Sequence, residues 1–258
     1  MNVLAGIREA FTGRRGGLQC PICHGTFRRF LPLPAFFEEN LRRYGSRLTL
    51  DDTETINVPD YSCPGCGASD RDRLISLFLS ERIPAAAGAG SCSIIEFAPS
   101  RPLSGFLRSF PGVCLRTADI AMEGVDDAVD IMDMRGYTDG SIDVFICSHV
   151  LEHVRDDGKA LSELHRILRP GGVGVLMSPI FLSLTQVDED PATLDEGERW
   201  RRFGQNDHVR AYSREGFLER VANAGFKVEC LGTGHFGRKA FRRHGITERS
   251  VLYTVSKA

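Results

Sequence analysis

With 258 residues, 42% hydrophobic and 26% charged, the chain has an ordinary globular composition and can bury one large core, alone or beside a small module. The formal net charge of -2 gives no overall attraction for nucleic acid or a membrane surface, and no run approaches the ~20 apolar residues of a spanning helix. The opening MNVLAGIREAFTGRRGG carries charge too early, and too little continuous apolar sequence, for a secretory leader. A cytoplasmic location is therefore expected, with the eight cysteines reduced and serving as metal ligands or core residues.

Taken in chain order, the N-terminal end is locally basic. Arg8, Arg14, Arg15, Arg28, Arg29, Arg42, Arg43 and Arg47 face only Glu9, Glu38 and Glu39, which reads as a solvated face or as a polyanion-binding one. Cys20, Cys23, Cys63 and Cys66 form two CPxC knuckles. A Cys-x-x-Cys turn converges two thiolates on one tetrahedral ion, and two such pairs close a structural Zn2+ site. A redox role would call for one CxxC beside a βαβ unit, and His24 is superfluous once four sulfurs saturate the ion. A helix is predicted over Ala35–Tyr44, then a polar segment over Asp51–Asp60. Ser69 and Asp72 make a capping box that opens an apolar helix containing Leu74, Ile75, Leu77, Phe78 and Leu79. Pro84–Gly90 is a linker by composition.

Beyond it, strand and helix signals alternate. Strands are predicted at Ser93–Phe97, Val113–Thr117, Ala128–Ile131, Val144–Cys147 and Val173–Met177, with helices at Leu103–Phe110, after the fourth strand, and at Arg214–Ala224 with Gly225 as its cap. Lys227–Leu231 and Ser250–Ser256 form a last pair of strands. This alternation implies an α/β fold with a parallel sheet and helices on both faces. Ligands of such sheets sit at the carboxyl ends of the strands, where an acid about twenty residues past the first turn can bind both ribose hydroxyls. Asp119 has that position, although it could equally cap its own turn. His149-Val-Leu-Glu152-His153 also fits a zinc-peptidase pattern, but that pattern needs a long helix and here it directly follows a buried strand. Phe181–Arg202 is long enough to be a lid or substrate wall, and it leads into a polar cluster, Asp207, His208, Arg210 and Tyr212.

The CPxC pair, Ala98-Pro99-Ser100 after the first strand, SHVLEHV at 148–154 and FGQNDHVR at 203–210 together resemble class I S-adenosylmethionine-dependent methyltransferases, specifically a type 11-like subfamily with an N-terminal zinc ribbon. The resemblance runs from Cys20 to the last strand. It implies a Rossmann-like seven-stranded methyltransferase sheet over residues 90–258, behind a zinc-ribbon module and connecting helix over residues 1–84. It also implies S-adenosyl-L-methionine as cofactor. Glu96 would precede the methionine-binding turn, where Ala98, Pro99 and Ser100 replace the family's Gly-x-Gly; Asp130 or Asp133 would meet the adenine amino group; Ser148 and His149 would line the cleft. The expected reaction is in-line methyl transfer to an O or N nucleophile. His208 is the candidate base, Asp207 its orienter and Arg210 the group that binds an acidic part of the substrate; equally, Asp207–Arg210 can be read as a hydrogen-bonded strut under the lid. The acceptor is unidentified, with a small molecule or glycan favoured over protein or RNA. The rival readings are a degenerate methyltransferase serving as an RNA- or polyanion-binding module, and the zinc peptidase.

Overall fold

The structure is a computed structural model, and it describes residues 17–87, 90–193 and 195–257. Its centre is a seven-stranded sheet. Three apolar runs, β3 (Cys92–Phe97), β6 (Ile142–Ser148) and β7 (Leu168–Met177), lie side by side in it. β3 and β6, and β7 from Gly172 onward, are buried on both faces almost throughout, so near-continuous apolar sequence is what they require. β4 (Val113–Asp119) and the two-residue β5 (Asp127–Ala128) extend the sheet on one side. On the other, β11 (Leu252–Lys257) and β10 (Phe226–Leu231) complete the order β10-β11-β7-β6-β3-β4-β5. The pairs β10/β11 and β11/β7 are antiparallel and the remainder parallel. This is the Rossmann-like methyltransferase sheet implied by the resemblance.

Strand alternation sorts the core onto two faces. Ile95, Phe97, Phe145 and Cys147 pack with α4 (Asp157–Ile167) and α6 (Arg214–Asn223). Their neighbours Ile94, Val144 and Ile146 pack with α2 (Asp70–Ala87), α3 (Arg101–Arg108) and Phe241. Gly174 is needed where β7 passes Phe145, because a Cβ there would lie 2.0 Å from the phenyl ring.

The structure departs from the sequence expectations in three places. The helix opened by Ser69, whose backbone N–H donates to Asp72 while its hydroxyl accepts from the Asp72 N–H, runs on through the alanines of the expected linker to Ala87, as alanine's helix propensity favours. The third strand is shorter than Ala128–Ile131, because Asp130 accepts the Met132 N–H at 2.8 Å and turns the chain away. Phe181–Arg202 is not all loop: it holds β8 (Asp188–Glu189) and α5 (Glu196–Phe203). There Trp200 is buried, stacked on Tyr44 and edge-on to Phe36 of α1 (Ala35–Arg43).

The segment between the knuckles folds over the carboxyl edge of the sheet. Thr53 bridges to Phe181, the Glu54 N–H donates to Ile180 O, and the Glu54 carboxylate receives Arg214 and the Tyr253 hydroxyl. Buried Arg73 ties the knuckles down by donating to the carbonyls of Asp60, Tyr61, Ala68, His244 and Gly245. Arg8, Arg14 and Arg15 of the basic stretch lie outside the described residues.

Candidate functional site

The four knuckle cysteines converge as their spacing requires. Cys20 Sγ lies 3.7 Å from Cys66 Sγ, Cys23 Sγ lies 3.7 Å from Cys63 Sγ, and all four sulfurs fall within 4.8 Å of one another. A tetrahedral Zn2+ with bonds of about 2.3 Å places its sulfurs about 3.8 Å apart, so the donor set fits that ion. Both knuckle turns close over Phe27, where a Cβ on Gly25 or Gly65 would come within 2.8 Å of the ring. His24 is not among the converging groups.

A cavity of about 350 Å3 opens at the carboxyl ends of β3, β4 and β6. Asp119 and Asp130 form its polar rim, and Ala98, Ile131, Met132 and Val150 supply apolar walls. Asp119 does cap its own turn, with Oδ1 accepting from the N–H groups of Ala121 and Met122 at 2.8 Å. Its second oxygen has no partner among the described residues. Asp130 lies on the cavity wall, whereas Asp133 is turned out to an ion pair with Arg135. The glycine-free turn reaches the geometry that glycine would supply: Ala98 has φ +47 and His149 has φ +58, at the mouths of β3 and β6. Backbone strain of this kind gathers at ligand-binding edges.

Glu96, Pro99, Ser100 and Ser148 do not line this cavity. Glu96 is buried beneath the turn, accepting the Ser100 N–H at 3.0 Å and paired with the Ser104 hydroxyl at 2.5 Å, while Ser100 caps α3 and bonds Asp72. Glu96 therefore braces the Ala98–Ser100 turn from below. Burial raises its pKa from 4.5 to about 7, against the lowering effect of its hydrogen bonds to Ser104 and Ser100. Because the folded state holds this proton more tightly, its stabilising effect is complete below pH 4.5 and is lost as the pH rises through 7, by roughly 3 kcal/mol. Glu96→Gln preserves the hydrogen-bonding shape, so melting temperatures measured from pH 4.5 to 8 are expected to fall less steeply in the variant than in the wild type. An unchanged slope would show that Glu96 does not titrate in this window.

A second cavity, about 260 Å3, adjoins the first, with His149 and His153 in the walls of both. The inter-knuckle segment supplies Leu33, Phe37, Leu41, Thr53 and Tyr61, the sheet side supplies Phe181 and His208, and α2 supplies Arg71. Here the expected roles need correction. Asp207 pairs with His153 (Oδ2 to Nδ1, 3.4 Å), not with His208. His208 instead sets Nδ1 against Phe203 O at 3.1 Å and its ring edge-on to His153. Burial, and then the neighbouring His153, push the His208 pKa down to about 3, so its imidazole is neutral at neutral pH. For His153, burial opposes protonation, yet the Asp207 and Glu152 carboxylates outweigh it and hold the pKa above the ordinary value. Arg210 is not available to a substrate. It is 1% exposed, with donors committed to the carbonyls of Leu151, Val154 and Arg155 and to the Glu189 carboxylate.

His149, Glu152 and His153 lie in a turn, not a helix, so the helical geometry of the peptidase pattern is missing. Sequence reasoning overlooked His153 and Arg71 as cavity groups. The HVLEH wording flags the histidine, but nothing local reveals that residues 33–61 roof it over.

Residues 118–176 match the family Methyltransf_11, described as a methyltransferase domain. A probable S-adenosylmethionine-dependent methyltransferase of Mycolicibacterium smegmatis is 32% identical over 125 residues, covering 46% of this chain and 44% of that protein. An uncharacterized 37.1 kDa protein in transposon TN4556 of Streptomyces fradiae is 51% identical over 94 residues, 36% of this chain and 26% of that one. The chain thus spans less than half the length of either relative. Among solved structures, the 1,6-didemethyltoxoflavin-N1-methyltransferase of Burkholderia thailandensis, with bound S-adenosylhomocysteine, aligns at 16% identity and a TM-score of 0.43 over 69% of this chain and 76% of its own. No helix among the described residues is long and apolar enough to cross a membrane.

Proposed function

We propose that this protein is an S-adenosylmethionine-dependent methyltransferase acting on an O or N nucleophile of a small-molecule or glycan acceptor, with one structural Zn2+ on Cys20, Cys23, Cys63 and Cys66. The observation that carries this reading is the pair of adjoining cavities at the carboxyl edge of the sheet, with His149 and His153 between them. In the first, the uncommitted oxygen of Asp119 would accept from the ribose hydroxyls and Asp130 would hold the adenine, with the left-handed Ala98 turn leaving room for the methionine end. The bound cofactor supplies an electrophilic sulfonium methyl. The second cavity holds the acceptor and keeps water from it with Phe37, Leu41 and Phe181. His153 takes the acceptor's proton on Nε2 while Asp207 fixes its Nδ1–H, the arrangement by which a carboxylate sets tautomer and basicity. Neutral His208 buttresses the His153 ring.

Calorimetric titration of the zinc-assayed protein with S-adenosylhomocysteine tests this. Micromolar binding is expected, weakened at least about tenfold in Asp119→Ala through loss of a charged hydrogen-bond acceptor, with His153→Ala binding as the wild type does. A folded, one-zinc protein that fails to bind overturns the reading and favours a degenerate domain.

A further inference from the structure

Among the described residues Arg71, in the wall of the roofed cavity, makes no ion pair, although the charges of Asp70, Asp72 and Glu152 act on it. Among the described residues its guanidinium makes one long hydrogen bond, Nη1 to the Tyr61 hydroxyl at 3.4 Å, and its Nε is buried with no acceptor. Of the neighbouring acids, Glu152 makes no ion pair with it and bonds Ser178 through Oε2, its Oε1 having no hydrogen-bond partner among the described residues, and the other two are engaged elsewhere. Asp70 accepts from the N–H groups of Asn57 and Arg71, and Asp72 accepts from Ser69 and Ser100. Two residues along, Arg73 spends its donors on five carbonyls, and Arg210 is comparably satisfied. Unlike these two, Arg71 keeps most of its donors unspent, and it lines a cavity.

Arg71 is half-buried with its Nε out of solvent, and a donor of a charged group held there without an acceptor is costly unless a ligand completes it. The guanidinium fork matches a carboxylate in two parallel hydrogen bonds. Leu33, Phe37, Leu41 and Phe181 give the wall an apolar stretch beside the polar groups of Thr53, Tyr61, His153 and His208, and a volume near 260 Å3 lies at the small end of ligand cavities. We propose that the acceptor is a small aromatic or aliphatic carboxylate, anchored by Arg71 with its apolar body against Phe37 and Phe181 and its nucleophile toward His153. This rests on the methyltransferase reading and adds to it the chemical class of the acceptor. It also moves the anion-binding role expected of Arg210 to a residue 139 positions earlier in the chain, one with free donors.

The test is calorimetry on the full, zinc-loaded chain with benzoate and its neutral isostere benzamide, for the wild type, Arg71→Met and Arg71→Lys. Benzoate is expected to bind about tenfold or more tightly than benzamide. That preference should vanish in Arg71→Met and return in part in Arg71→Lys, with S-adenosylhomocysteine affinity unchanged and the Arg71→Met melting temperature equal to or above the wild type's. Three results overturn the proposal. Benzoate could bind no better than benzamide, or keep its preference in Arg71→Met. Arg71→Met could lose stability, making Arg71 a strut. Or it could weaken S-adenosylhomocysteine but not 5′-methylthioadenosine, which lacks the amino-acid tail, assigning Arg71 to the cofactor's carboxylate. Failure of the wild type to bind S-adenosylhomocysteine would overturn the methyltransferase reading and leave the benzoate comparison readable.

Discussion

Removing Zn2+ with a chelator, or replacing Cys63 with serine, is expected to unfold the N-terminal segment and abolish the second cavity while leaving the first able to bind S-adenosylhomocysteine. Besides the ion, the segment is held by the Arg73 hydrogen bonds and by Glu54 with Arg214 and Tyr253, over a small core. Its own core is Cys20, Phe27, Phe30, Cys63 and Ala68, and its hairpin β1 (Leu18–Gln19) and β2 (Thr26–Phe27) has two residues per strand. A cluster of that size does not offset the chain entropy of some forty residues, whereas a four-thiolate zinc site contributes on the order of 10 kcal/mol to folding. Without the ion, the four sulfurs packed within 4.8 Å cannot ionise together, since their contacts with one another raise the pKa of Cys20 and Cys66, and thiols offer nothing to replace the metal bonds. The unfolding should stop at α2, whose Leu74, Ile75, Leu79 and Ile83 are buried in the sheet core. The signature is a biphasic melt whose early phase disappears in Cys63→Ser, with one zinc per chain in the wild type. A metal-free wild type melting in one transition at full temperature would remove zinc from the account.

How much of this was legible in the sequence follows from the range of the forces involved. The strands of the sheet and the capped helix at Ser69 were readable because each is encoded by a contiguous apolar period or a local hydrogen-bonding motif. So was the convergence of the cysteines, since Cys-x-x-Cys fixes its own geometry. Asp119 could be placed from its distance past the first turn. The histidine chemistry could not. Asp207 and His208 are adjacent in sequence, which suggested a pair, but the chain direction there sends Asp207 to His153 and turns His208 to Phe203 O. Helices α7 (Thr233–Phe236) and α8 (Arg238–Arg243) are too short and too rich in glycine and arginine to show a period. The second cavity was invisible for a plainer reason: its roof at residues 33–61 and its walls at His149, His153, Phe181 and His208 are far apart in the chain.

Arg210→Met is expected to be among the most destabilising single substitutions outside the zinc site, and it separates a structural role from a substrate-binding one. The guanidinium is buried, with Nη1 donating to Leu151 O and Val154 O, Nη2 to Arg155 O at 3.1 Å, and Nε 3.2 Å from Glu189 Oε2. Asp157 lies 3.7 Å from Nε and is itself held by Arg220 and by the Tyr212 hydroxyl. Methionine fills much of the volume but leaves three carbonyls without donors and a carboxylate pair short of one cation. Breaking a buried network of this kind costs about 3–5 kcal/mol, which in a protein of this size lowers the melting temperature by on the order of 10 °C. Lysine does not rescue it, because one ammonium cannot span three carbonyls and a carboxylate at the guanidinium's geometry. The carbonyls belong to the turn that carries His153, so proton removal in the second cavity should fail together with stability. Had Arg210 been a substrate ligand, the variant would melt like the wild type and lose only acceptor affinity. Thermal denaturation of Arg210→Met beside Arg71→Met decides the matter: the first should fall well below the wild type and the second should not, since one arginine completes the fold and the other waits for a ligand.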